Sequence, residues 1–198
     1  MPTYDGVTRE NWLKELDPMD RWNVKHILSA FSLFGIPDTL LDVGCGNGIM
    51  VRTAKKLGVE AYGADQLVEP DWEPYFFHHN LVDLFELPDG KKADMVISLE
   101  VAEHLHASAH ATYCQTLCDN LKEGTDKFLI FSAARPGQNG TGHISCEPSS
   151  YWSYEFFIRG LTANDLMTSR LALLWSKIGS PLGHLSDNLL VFHKGGTS

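Results

Sequence analysis

Residues 40–65, LLDVGCGNGIMVRTAKKLGVEAYGAD, decide the fold of this 198-residue chain. Leu40, Leu41 and Val43 make a short apolar run of the kind that forms a strand buried on both faces. The run ends in Gly44-Cys45-Gly46-Asn47-Gly48. Three alternating glycines let the backbone turn tightly and approach a ligand closely, because no Cβ is in the way. Helical spacing follows: Met50, Val51, Ala54 and Leu57 share one face, Lys55 and Lys56 occupy the last turn, and Gly58 is placed to cap it. A second apolar strand over 59–63 leads to Asp65. Strand, glycine turn, helix, strand and acid make half of a nucleotide-binding α/β fold.

The glycine spacing separates nucleotide classes. Gly44 and Gly46 fit the dinucleotide pattern G-x-G-x-x-G, but Ile49 stands at its sixth position and glycine comes one residue early, at Gly48. Residues 42–48 read D-x-G-x-G-x-G and resemble the first motif of class I S-adenosylmethionine (SAM) methyltransferases. The resemblance implies one Rossmann-like α/β domain over 1–198, with leading helices in 1–37 and the core in 38–198. It implies a seven-stranded, mostly parallel sheet, an antiparallel last strand and helices on both faces. It implies SAM as cofactor and S-adenosylhomocysteine as product. Asp42, Gly44, Cys45, Gly46, Asn47 and Gly48 then surround the amino-acid end, while Asp65 and its neighbour Gln66 meet the ribose. A carboxylate accepts two O–H bonds, and charged acceptors make the stronger ones.

The length suits one α/β domain with a sizeable core. Sixteen Lys and Arg against 25 Asp and Glu leave a formal charge of −9, which argues against broad binding to nucleic acid or an anionic membrane but leaves room for a local basic groove. No apolar run is long enough to span a bilayer, and MPTYDGVTRENW has acids and no apolar signal core, so a cytoplasmic enzyme is expected. Cys114 and Cys118 lie one helical turn apart without a second pair for zinc; with Cys45 and Cys146 they read as reduced, mostly buried thiols.

Residues 8–16 and 18–34 read as leading helices, the second with Val24, Ile27, Leu28, Phe31 and Phe34 at helical spacing. Trp12, Trp22 and His26 are candidates either for an acceptor pocket or for ordinary packing. A third strand over 75–78 runs into His79-Asn80-Leu81, where the family resemblance implies an adenine contact; Asn80 with the Leu81 backbone is preferred and Asp83 is the rival. Further strands are predicted over 94–99, 127–133, 161–166 and 188–193. Helices are predicted over 107–122 (closed by Gly124), 151–159 and 167–178, with a turn at 180–183. Residues 135–143, RPGQNGTGH, form a long glycine-rich loop of the kind that carries function.

Ligands in open α/β sheets sit beyond the carboxyl ends of the strands, where the glycine turn, Asp65, Leu99, Glu100 and the loop ending at His143 emerge. Glu100, Glu103 and His104 stand at i, i+3 and i+4, so a helical segment projects all three from one side. Two carboxylates and an imidazole suit a divalent cation such as magnesium, manganese, iron or zinc. E-V-x-E-H here is similar to elements of ubiquinone-biosynthesis O-methyltransferases and of small-RNA 3′-terminal 2′-O-methyltransferases. That resemblance implies a metal held by Glu100, Glu103 and His104, with His143 as fourth ligand. The competing reading has Glu100 on the methionine amino group, Glu103 supporting a helical turn and His104 packing, with His104 or His143 as a metal-free base.

Methyl transfer needs the acceptor aligned at about 3 Å from an already activated carbon. An alcohol becomes a good nucleophile once a metal lowers its pKa or a base takes its proton. The loop P-G-Q-x-G-x-x-H followed by S-Y-W resembles small bacterial and phage-encoded methyltransferases. The expectation is O-methylation of a small hydroxylated molecule or glycan in preference to a nucleic acid, with no membrane partner. The alternatives are an RNA ribose 2′-O-methyltransferase, with Arg135, Arg159 and Arg170 as a phosphate track, and a SAM-binding interaction module without catalysis.

Overall fold

The computed structural model describes residues 3–4, 7–8, 19–179 and 184–195, in which a short strand pair (Thr3–Tyr4 with Val7–Thr8) and a helix precede the strands and helices of the main sheet. Helix α1 (Asp20–Phe34) precedes β1 (Thr39–Val43), α2 (Ile49–Lys56), β2 (Glu60–Asp65), β3 (Phe76–His78) and β4 (Met95–Leu99). Then come α3 (His110–Asn120), β5 (Gly124–Ser132), α4 (Ser149–Phe157), β6 (Leu161–Ala163), α5 (Asp165–Ser176), α6 (His184–Asn188) and β7 (Leu190–Lys194). The sheet runs β3-β2-β1-β4-β5-β7-β6. β1 pairs in parallel with β2 and β4, and β7 lies antiparallel to both β5 and β6. This is the seven-stranded, mostly parallel α/β domain expected from the glycine-turn unit. No helix among the described residues is long and apolar enough to cross a membrane.

β1 is buried along its whole length, and its side chains alternate between two cores. Leu41 and Val43 join Val96, Leu129, Phe131, Tyr113, Leu117, Trp152 and Phe156 on one face. Leu40 joins Met95, Ile97, Ile130, Ile27, Phe31, Leu171 and Trp175 on the other. Burial on both faces removes any alternation with polar residues, which is why these strands read as continuous apolar runs.

Several boundaries differ from the sequence reading, for local reasons. Thr8, expected to open a helix, instead joins Val7 in a strand that pairs antiparallel with Thr3–Tyr4, and the rest of the predicted 8–16 helix lies outside the described residues. α3 stops at Asn120, short of Lys122, because Leu121 leaves the helix to bridge Ala93. Gly124 therefore starts β5 instead of closing a helix. β6 ends at Ala163, since Asn164 caps α5 by accepting from the Met167 N–H at 3.1 Å. Asn188 belongs to α6 and not to the last strand, and the predicted turn at 180–183 lies outside the described residues. Leu28 keeps the helical spacing but faces solvent; His26 and Ala30 are buried beside Ile27 and Phe31 instead.

Candidate active site

A cavity of about 360 Å³ opens at the carboxyl ends of β1 and β4. Its floor is Asp42 with Gly44, Cys45, Gly46 and Asn47 of the glycine turn; Ile49 and Met50 open α2 beside them. Leu99, Glu100 and His104 come from the end of β4, and Asn139, Gly140, Thr141 and His143 from the long loop. Met19 and Asn23 of the leading segment and His184 and Leu185 of α6 complete the wall. The turn requires glycine at its first position: Gly44 has φ +83°, and a Cβ there would run into the Val101 side chain.

Two carboxyl groups lie buried under this turn. Asp65 is 5% exposed; its Oδ2 accepts from the Gly46 N–H at 2.9 Å and its Oδ1 from the Leu67 N–H at 2.8 Å. Burial raises its pKa to about 6, against the pull of those N–H groups. Asp42 is equally buried, and burial together with the charge on Asp65 lifts it to about 7. Cys45, between them, is pushed well up by burial and both acids, so it is a neutral thiol. Among the described residues, the wall of the cavity contains two acids and no Lys or Arg, an environment that favours a cation.

Beyond β4 the chain bends through Glu100, which takes a left-handed φ of +55°, and then makes a 3-10 turn over Ala102–His104. That turn, in place of the expected α-helix, leaves Glu100 outside the group that Glu103 and His104 form, although its carboxylate stays close enough to Glu103 to raise that residue's pKa. Glu100 turns away to α6, where Asn188 Nδ2 donates to both of its carboxylate oxygens (3.3 and 3.4 Å) and His184 Nε2 lies 3.5 Å from Oε2. Glu103 and His104 instead meet His143: one ligand-type atom from each lies within 4.8 Å of the others. The expected set of four is thus a set of three, with Glu100 in a neighbouring network.

The three-residue cluster has the features of a cation site. Glu103 is fully buried, and neither of its carboxylate oxygens has a hydrogen-bond partner. Burial, then repulsion from Glu100, holds its pKa well above the carboxylate range. His104 Nδ1 is 2.9 Å from the Gly142 carbonyl and His143 Nδ1 is 3.1 Å from the Gln138 carbonyl. Each Nδ1–H donates to a carbonyl, which turns the Nε2 edge of each ring away from that anchor, and His143 Nε2 stands 3.9 Å from Glu103 Oε1. Gly140 lies against His143 Nε2 so closely that a Cβ would collide with it. The loop is fixed here by Ile144 and Ser145, whose N–H groups donate to the Glu103 carbonyl at 2.9 and 3.1 Å. An orphaned buried carboxylate between two backbone-anchored imidazoles fits a divalent cation.

A family model described as a methyltransferase domain matches residues 19–157, well over half of the chain. The chain belongs to this methyltransferase-domain family. The chain superposes on 1,6-didemethyltoxoflavin-N1-methyltransferase of Burkholderia thailandensis with a TM-score of 0.62 and 16% identity, covering 97% of this chain and 90% of that one. DesVI of Streptomyces venezuelae gives 0.61 at 14% identity, over 96% and 99%. An O-methyltransferase family protein of B. thailandensis gives 0.59 at 13%, over 96% of this chain and 59% of that one. These likenesses carry the fold. A 71-residue stretch is 35% identical to a probable tRNA (uracil-O(2)-)-methyltransferase of Caenorhabditis briggsae, covering 36% of this chain and only 11% of that protein.

Of the sequence-predicted site residues, Asp42, Gly44, Cys45, Gly46, Asn47, Leu99, Glu100, His104 and His143 line the cavity. Glu103 sits beneath it, and Asp65 is one hydrogen bond behind the turn. Gly48, Gln66, Asn80 and Leu81 lie outside its lining. Asn80 is exposed, its Oδ1 turned to the Val82 N–H at 3.5 Å, and Leu81 is 2% exposed in the core. Trp22 and His26 do not line the cavity either: Trp22 lies under Arg21 and Lys25, and His26 packs on Trp175, its pKa lowered by burial to about 4. Trp12 is outside the described residues. Sequence reasoning missed His184 and Asn188. They carry no motif and reach Glu100 only through the fold of the chain's last segment.

Proposed function

We propose that this methyltransferase uses SAM and methylates a hydroxyl of a small molecule or sugar, with a divalent cation held by Glu103, His104 and His143. The observation that carries the reading is one cavity with a glycine turn on one side and the Glu103–His104–His143 cluster on the other. SAM supplies a methyl carbon already activated by its sulfonium sulfur. The turn offers backbone without side chains in the way, and Asp42 and Glu100 offer negative charge to a cationic ligand. Asp65 stands at the second strand's end for the ribose, a carboxylate with acceptor capacity beyond the N–H groups of Gly46, Leu67 and Gln66 that already bond it. Solved neighbours include a complex described as holding S-adenosylhomocysteine, which supports the same cofactor.

Glu103, His104 and His143 offer one carboxylate and two imidazoles, a ligand set that a bound cation would use to lower the pKa of an acceptor hydroxyl. Asn23, Asn139 and Thr141 add neutral hydrogen-bonding groups to the same wall, which suits a hydroxylated acceptor over an anionic one. The likeness to a tRNA methyltransferase favours an RNA reading, but two of the three candidate phosphate contacts are engaged. The Arg135 guanidinium donates to the Asp187 carbonyl, and Arg159 is paired with Glu155 at 2.7 Å.

Calorimetric titration with S-adenosylhomocysteine and then with manganese tests the reading. Both ligands should bind the native protein, and His143→Ala should lose manganese while keeping S-adenosylhomocysteine. Flat heats with S-adenosylhomocysteine on demonstrably folded protein would sink the proposal.

A further inference from the structure

Arg52 lies on α2, one turn beyond the glycine turn, and does not line the cavity. Its guanidinium nevertheless joins three segments around it. NH1 donates to the Asn47 carbonyl at 2.6 Å. Nε and NH2 donate to the two carboxylate oxygens of Glu73 at 3.2 and 3.0 Å. The same plane covers the Trp72 ring at 4.9 Å and the Phe76 ring at 4.7 Å. Phe76 in turn fills the space where a side chain at Gly48 or Gly63 would stand.

Glycines that free the turn for a ligand also leave it without side-chain contacts and with the largest backbone entropy to lose. Gly44, Gly46 and Gly48 all have positive φ, so the turn must be held from outside. Asn47 is the one residue between the last two glycines, and it is gripped from two sides. Its side-chain amide donates to Asp20 of α1 at 2.7 Å, and its carbonyl accepts from Arg52.

We propose that Arg52 is a positioning residue for the cofactor: it locks the Asn47–Gly48 peptide through Asn47 and presses Phe76 against Gly48. The turn is thereby kept in its ligand-ready shape. The role rests on the SAM reading above and deepens it. Lysine can do only part of this, since its ammonium is a single point charge without the planar fork that serves Asn47, Glu73 and two rings at once. Glu73 is part of the device, and the guanidinium holds its carboxyl down at about 2.

The test is calorimetry with S-adenosylhomocysteine on wild type, Arg52→Gln, Arg52→Lys and Glu73→Gln, beside thermal melts without ligand. Arg52→Gln should bind about tenfold more weakly, the size of one lost charge-assisted bond, and Arg52→Lys should recover part of that. Glu73→Gln keeps the Asn47 bond and should lose about threefold. Amide exchange of Gly48 in the ligand-free protein should quicken in the same order. An arginine that merely stabilises the fold would lower the melting temperature and leave the affinity of the folded molecules alone. Affinities within twofold of wild type for Arg52→Gln overturn the proposal, and Glu73→Gln with Gly48 exchange decides it should Arg52→Gln not fold. Wild type that binds no S-adenosylhomocysteine removes the SAM reading and this role together.

Discussion

Asp42→Asn should make the protein more stable and a poorer binder of its cofactor, and the gain should depend on pH. Asp42 is 5% exposed at the cavity floor, and burial with the neighbouring Asp65 raises its pKa from an ordinary 3.8 to about 7. Between those values the native carboxyl keeps a proton that the unfolded chain has lost. Stability therefore falls as pH rises through that window, at up to about 1.4 kcal/mol per unit. From about pH 5 to about pH 8 the native group stays protonated over about two units, so about 2.5 kcal/mol is lost. Asn has no proton to lose and escapes this cost. Urea unfolding of both proteins at about pH 5, 6.5 and 8 measures it. The buried histidines, lowered by burial, act with the opposite sign but equally in both proteins, so they cancel in the difference. The advantage of Asp42→Asn should grow by about 2–3 kcal/mol from acid to alkaline pH, while its affinity for SAM at alkaline pH falls about tenfold. Parallel pH profiles would mean that Asp42 is already ionised at pH 5, and the argument from burial would be wrong.

Gly140→Ala should fold normally, since the position does not need a positive φ, yet lose divalent-cation binding at least tenfold because the new Cβ meets His143 Nε2. Cobalt absorbance titration reads this directly, and wild-type affinity would remove His143 from the site. Asp65→Ala should weaken S-adenosylhomocysteine binding by about 1.5–3 kcal/mol. Unchanged affinity in calorimetry would count against the ribose assignment.

The glycine-turn side of the candidate site was legible because its determinants are local. Leu40 to Asp65 states strand, turn, helix and acid in one stretch, and each residue there acts through its own backbone or the next element. His104 and His143 were also visible as candidates. What pattern could not say was that Glu100 would leave them. A left-handed residue followed by a 3-10 turn replaces the helix that the i, i+3, i+4 spacing presumes. The far wall was illegible for a different reason. His184 and Asn188 come from five helical residues next to the last strand, too short for periodicity to declare, and their meaning arises only where α6 lies over the end of β4. The cap at Asn164 is readable in principle, since asparagine followed by aspartate opens many helices, but the apolar residues on either side of it also suit a longer strand.

The loop after β5 supplies two different things to one place. It carries His143, and its Gly142 carbonyl steadies His104, which belongs to another part of the chain. Assembly of the imidazole pair and closure of that segment are consequently a single event. A protease cut between Gln138 and Gly142 would disarm both rings at a stroke while sparing the sheet beneath, and a length change in those residues carries a chemical penalty that an ordinary surface connection escapes.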